Sequence, residues 1–153
     1  MDANPDAMMD EWSGDIGCGV KYFSQDSVIK LAPRAGIELD ENLSPAEKLK
    51  VVQALMADDD QRAAKVYDSI GCYLGHTLAY YYHLYGCHHV LLLGRVMSGK
   101  GGDRILAEAK RVLADEYPQL DGKLFPELPD EKFRRVGQSM AAASLAASKK
   151  EEQ

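Results

Sequence analysis

From about Gln61 to Tyr85 the sequence sets Ala63, Tyr67, Ile70, Leu74, Leu78 and Tyr81 three or four residues apart, the apolar stripe of an amphipathic helix. Into that helix it puts Gly71 and Gly75, four apart and therefore on one face. Each glycine costs about 1 kcal/mol relative to alanine in a helix interior, so each needs a physical reason. The simplest is that another backbone comes close along that face. Pairing of the lipid-embedded kind does not suit a chain with 27% charged residues. A long helix with a second element packed tightly on its glycine side is the strongest demand this sequence makes of a fold.

The rest of the chain can be placed around it. Gly86 ends the helix, and Val90–Leu93 is an apolar run of the type expected in a strand buried on both faces. A glycine-rich turn follows. Asp103 is the predicted N-cap of the next helix, with Ile105, Leu106, Ala109, Val112 and Leu113 on its buried side and Pro118 just past its end. A short strand is predicted at Leu124–Phe125. Upstream, Ser24 caps a helix through Val28, Ile29 and Leu31 that Pro33 and Gly36 break. Ser44, Pro45 and Glu47 spell a capping box with proline in the first turn, and Leu49, Val52 and Met56 mark the buried side of the helix they open. Asp58–Asp60 reads as the solvated, acidic start of the long helix, with nothing basic expected beside it. A last, alanine-rich helix is predicted from about Glu131 to Ala147.

This pattern predicts a helix-rich α/β domain with few strands over residues 13–147. Residues 1–12 are expected to be an acidic, flexible lead-in, with Gly14, Gly17 and Gly19 as a turn after it, and residues 148–153 a frayed tail. One or two strands do not make a stable sheet unaided, so a partner, or the remainder of a longer chain, is expected. The net charge of -6 and pI near 5.2 weigh against nucleic acid and against an anionic membrane surface. No apolar run reaches the roughly 20 residues of a membrane span, and the acidic N-terminus lacks a signal-peptide layout. Cys18, Cys72 and Cys87 are odd in number and scattered, which fits a reducing compartment; a cytoplasmic location is expected.

The glycine turn carries the chemistry worth weighing. Gly94 to Lys100 reads G-x-x-x-x-G-K, but Gly101 stands where a P-loop has the Ser or Thr that holds Mg²⁺. A mononucleotide P-loop is therefore disfavoured. What survives is a strand feeding a glycine turn and a helix N-terminus, which offers backbone N–H groups to a ligand. Asp103 would repel a phosphate there, so a ribose or adenine edge over Gly94–Ser98 fits better than a phosphate on Gly102. The plain alternative is a tight strand-to-helix crossover with no ligand.

Three segments in order resemble the ROK-type sugar kinases. "GCGVKYFS" (Gly17–Ser24) is similar to their glycine-cysteine turn leading into a helix. "IGCYLGHTLAYYYHLYGCHHVLLLGRVMSG" (Ile70–Gly99) is similar to their long helix, strand and adenosine-contacting turn. "VGQSMAAASLA" (Val136–Ala146) is similar to their closing helix. The resemblance implies the C-terminal lobe of the actin-like ATPase, or ribonuclease-H-like, fold. It also implies an ATP site with Mg²⁺, edged by Gly94, Arg95, Ser98, Gly99 and Lys100 and flanked by Gly137 and Gln138, and a sugar as the second small molecule. Only Cys18 matches the family's zinc motif, so zinc is not expected, and Val20 stands where the family has its sugar-contacting Glu. Arg95 replaces the second glycine of the adenosine turn. The phosphate loop and catalytic aspartate of the family's N-terminal lobe have no counterpart here. The lobe is therefore expected to be catalytically incomplete alone, whether as a fragment or as half of a split protein. The rival expectation is a non-catalytic oligomerisation or regulatory module that keeps the lobe's fold.

Two further clusters point less clearly. Cys87, His88 and His89 with nearby His83 read as a strand-entry turn and not a metal site, because adjacent strand residues face opposite sides and His88 and His89 cannot easily share one metal. Tyr80, Tyr81, Tyr82 and Tyr85 cover every face of one helix end, so some are exposed, and a homo-oligomer interface is a plausible use for them.

Overall fold

The computed structural model describes residue 4 and residues 6–129. In chain order the elements are α1 (Val20–Phe23), α2 (Gln25–Leu31), α3 (Pro45–Ala57), α4 (Gln61–Tyr85), β1 (His89–Leu91), α5 (Lys100–Glu116) and β2 (Phe125–Glu127). Single 3-10 turns lie at Pro33–Ala35, Arg95–Met97 and Pro118–Leu120. The molecule is thus helix-rich α/β, with one small parallel sheet among the described residues. The helix predicted over Glu131–Ala147 lies outside them, as do Gly137 and Gln138.

Local signals set the helix ends. The Ser24 side chain accepts a hydrogen bond from the Asp26 N–H to open α2, and both halves of the Ser44–Glu47 capping box open α3. Asp60 caps α4 by accepting from the Arg62 N–H, and Gly86 closes it in the left-handed region at φ 64°.

The two glycines of α4 do what their spacing demands. A Cβ at Gly71 would sit 2.8 Å from the Ile105 carbonyl oxygen and 2.7 Å from Glu108 Cβ; one at Gly75 would sit 2.9 Å from the Ala109 carbonyl oxygen and 2.7 Å from Val112 Cβ. The second backbone is that of α5. One turn earlier on each helix, Gly101 meets the ring of Tyr67. The contacts advance in the same direction on both helices, so α4 and α5 run parallel, and β1 carries the chain back between them. Asp68 and Arg104 add a two-pronged ion pair across the seam at 2.6 and 2.7 Å. The fully buried Tyr67, Ile70, Leu78, Ile105, Val28, Val52 and Val66 form the centre of the core.

β1 and β2 pair in parallel with His89 opposite Phe125, Val90 opposite Pro126 and Leu91 opposite Glu127. Side chains alternate across the sheet. Val90, Leu92 and Leu128 pack against the core, and Pro126 is buried. Leu91, Leu93 and Phe125 face outward and are 57%, 46% and 40% exposed. The expectation of a strand buried on both faces is therefore corrected. The described helices cover one face of the sheet, and the residues of period two on the other face are left open.

Three other expectations change. Asp103 does not cap α5. The helix begins at Lys100 behind Gly99, and Asp103 falls within its first turn. Tyr81 is not in the core stripe but 40% exposed, because the stripe ends at Leu78 and Ala79. The lead-in is not loose throughout. Met9 and Ile16 form an antiparallel bridge, and the Asp10 N–H donates to the Asp15 carbonyl at 2.8 Å, making a small hairpin ahead of α1.

A cleft beside the glycine turn as candidate functional site

The glycine turn contains two kinds of glycine. Gly101 and Gly102 are buried packing residues. A Cβ on the first would lie 2.5 Å from the Tyr67 ring, and one on the second would collide with the Met97 carbonyl. Gly94 and Gly99 are conformational residues, with φ of 123° and 65°, and open space where a Cβ would be. The bare backbone at Gly94 is consequently a surface that nothing in the described chain covers.

That surface borders a cleft of about 600 Å³. Its lining comes from Leu93–Val96, from α1 and the start of α2, from Pro45 and from the hairpin tip Asp10–Trp12. Val96 and Met97 turn inward and are buried, which anchors the turn. The Arg95 carbonyl accepts a hydrogen bond from Gln53 Nε2 at 2.9 Å, which ties the turn to α3.

Lys21, in the lining of the cleft, is 3% exposed, although no motif in the chain singles it out. Its ammonium donates to Asp26 at 2.7 Å and to Glu11. These two bonds, Asp26 first, raise the lysine above its ordinary range and outweigh the opposing effect of burial. The same bond holds Glu11 below the usual carboxylate range, and the Ser13 N–H does so for Asp10. Lys21 thus carries its charge and spends it on tying the hairpin to α2.

The residues singled out from sequence separate in space. Gly94 and Arg95 border the cleft. Ser98 and Gly99 are exposed farther along the turn. Lys100 sends its ammonium back to the α3–α4 junction, donating to the Ala57 carbonyl at 2.9 Å and the Asp59 carboxylate at 2.7 Å. The acidic run at Asp58–Asp60 therefore does have basic neighbours, contrary to expectation: Lys100 on Asp59, and Arg62 on Asp60 at 2.7 Å. Asp59 sits at φ 59°, a conformation uncommon outside glycine, asparagine and aspartate.

The histidines are used locally. His88 Nδ1 lies 2.7 Å from the Lys123 carbonyl, His89 stacks on Phe125 with centroids 5.1 Å apart, and His76 Nδ1 meets the Tyr117 hydroxyl at 2.9 Å. Among the described residues no three potential metal ligands converge. No helix among them is long and apolar enough to cross a membrane. A second cleft, of about 530 Å³ between the end of α5 and β2, is lined by Leu113, Pro118, Leu120 and Phe125 among others, and by none of the residues singled out for chemistry.

No family model, curated protein or solved structure matches this chain.

Proposed function

We propose that this chain is the nucleotide-facing C-terminal lobe of a ROK-type, sugar-kinase-like protein with an actin-like fold. The observation that carries the reading is the uncovered Gly94 backbone at the end of β1, beside a cleft large enough for a nucleoside. Parallel strands with a helix between them place a ligand at the carboxyl end of a strand, and that is where the cleft lies. The adenosine end of MgATP would lie against Leu93–Val96, with Arg95 the cation nearest the phosphates. Phosphoryl transfer works by positioning and charge stabilisation between two walls, so sugar phosphorylation requires a second lobe carrying the phosphate loop and the general base. Titrating MgATP while following the amide signals of Gly94–Asp103 tests the reading. Shifts centred on Gly94 and Arg95 are expected, and none at millimolar MgATP would end it for this chain.

A second reading, an oligomerisation module, is favoured by one observation. The open sheet face of Leu91, Leu93 and Phe125 comes with exposed Tyr80, Leu84 and Tyr85 on the last turns of α4. Light scattering distinguishes the two: concentration-dependent dimers abolished by Leu91→Lys support the module, and a monomer at all concentrations rejects it.

A further inference from the structure

We infer that Trp12 is the stacking wall of the cleft, and that the site grips its ligand by a flat nucleoside ring and its sugar hydroxyls, not by phosphate. The inference rests on the nucleotide reading above and specifies how the same site would hold its ligand.

The first argument is position. Trp12 is 98% exposed and lines the same cleft as the bare Gly94 backbone. An indole buries about 150–250 Å² when it is covered, and here almost all of that area is still in water. A planar ring lodged in this cleft has both the indole and the glycine turn within its lining to cover.

The second argument is mounting. Trp12 is the tip of a braced hairpin and not part of a loose tail. The Met9–Ile16 bridge closes the hairpin, the Gly14 N–H donates to the Asp10 carbonyl at 2.8 Å, and Asp10 Oδ2 accepts from both the N–H and the hydroxyl of Ser13 at 3.0 Å. Glu11, the residue before the tryptophan, is fixed to the buried ammonium of Lys21. An aromatic side chain on a fixed turn loses little freedom on binding.

The third argument is charge. Asp10, Glu11 and Asp26 line the cleft together with Trp12, and Lys21 already serves two of them. That part of the lining repels phosphate, whereas carboxylates accept hydrogen bonds from ribose hydroxyls. Arg95, exposed in the same lining, is the place left for an anionic end.

Trp12 is the only tryptophan in the chain, so its emission reports on this wall alone. Adenosine, ATP and inorganic tripolyphosphate would be titrated separately, by calorimetry and by tryptophan fluorescence. Adenosine and ATP are expected to bind and to change the emission, and tripolyphosphate is expected to do neither. Trp12→Ala is expected to weaken adenosine by about tenfold, the scale of one base stacked on an aromatic ring, and Trp12→Phe to restore most of it. An unchanged thermal midpoint checks that both variants are folded. If adenosine binds the wild type but leaves the emission unmoved, and Trp12→Ala binds equally well, the stacking wall is refuted while the nucleotide reading stands. If neither adenosine nor ATP gives heat or amide shifts, the nucleotide reading fails and takes this inference with it.

Discussion

Adding a single methyl group at Gly75 sets two effects against each other, and the structure decides between them. Alanine is the better helix former, worth about 1 kcal/mol in an open helix interior. Here the new Cβ would lie 2.9 Å from the Ala109 carbonyl oxygen and 2.7 Å from Val112 Cβ, where carbon atoms in good contact sit about 3.5–4.0 Å apart. A rotamer change at Val112 could move its Cγ1 but not its Cβ, and the Ala109 carbonyl belongs to the backbone of α5, so neither close contact can be relieved by side-chain rotation. Relief therefore means moving the two helices apart by most of an ångström, which loosens packing along the whole seam. Overpacking of this kind costs about 1–3 kcal/mol, and the propensity gain offsets only part of it. Gly75→Ala is expected to lose up to about 2 kcal/mol in urea unfolding, a fall of up to roughly 8 °C in Tm for a chain of this size. Gly71→Ala meets the Ile105 carbonyl in the same way and should cost a similar amount. One separation of the helices relieves both clashes, so the double variant is expected to cost less than the sum of the two. A Gly75→Ala protein at or above wild-type stability would refute the close parallel seam.

Tyr67 is fully buried, its hydroxyl has no hydrogen-bond partner among the described residues, and burial pushes its pKa up to about 12. Tyr67→Phe removes that orphaned group and is expected to be neutral or to stabilise by about 1 kcal/mol, and a clear loss in thermal unfolding would show that the hydroxyl has a partner after all. The Arg62 side chain beside Asp60 is the main cause that lowers that carboxyl from an ordinary 3.8 to about 2. A depressed carboxylate stabilises the fold above its unfolded value, and the contribution is lost as pH falls from near 3.8 through about 2. Asp60→Asn keeps the helix cap but should flatten that part of an acid-unfolding curve followed by circular dichroism; an unchanged curve would remove Asp60 from the account.

The long helix was legible because its signals are local. Asp60 and Gly86 mark its ends, and Gly71 with Gly75 announced a close neighbour. The capping box at Ser44 was legible for the same reason. The start of α5 was not, since Gly94 and Gly99 serve backbone conformation while Gly101 and Gly102 make room for Tyr67 and Met97. In sequence all four are the same letter. The run Val90–Leu93 is apolar at every position and so carries no period to reveal that Leu91 and Leu93 lie on an open face. Of the residues that line the cleft, Gly94 and Arg95 had been singled out from sequence for an adenosine site, and Lys21 and Trp12 had not. A lysine next to Tyr22 and Phe23 looks like surface, and its burial arises from Glu11 and Asp26, which only the hairpin and the α1–α2 bend bring to it.

The register of the small sheet has a consequence for how this chain must be handled as it folds. The Phe125 N–H donates to the His88 carbonyl and the Leu92 N–H to the Glu127 carbonyl, so the even-numbered residues of β1 bond inward to β2. The amides and carbonyls of His89, Leu91 and Leu93 then point the other way, toward an edge that no described strand occupies. Any extended segment that drifts past can add itself there, correct or not. Until a proper neighbour covers that rim, the chain's yield on refolding should fall as its concentration rises.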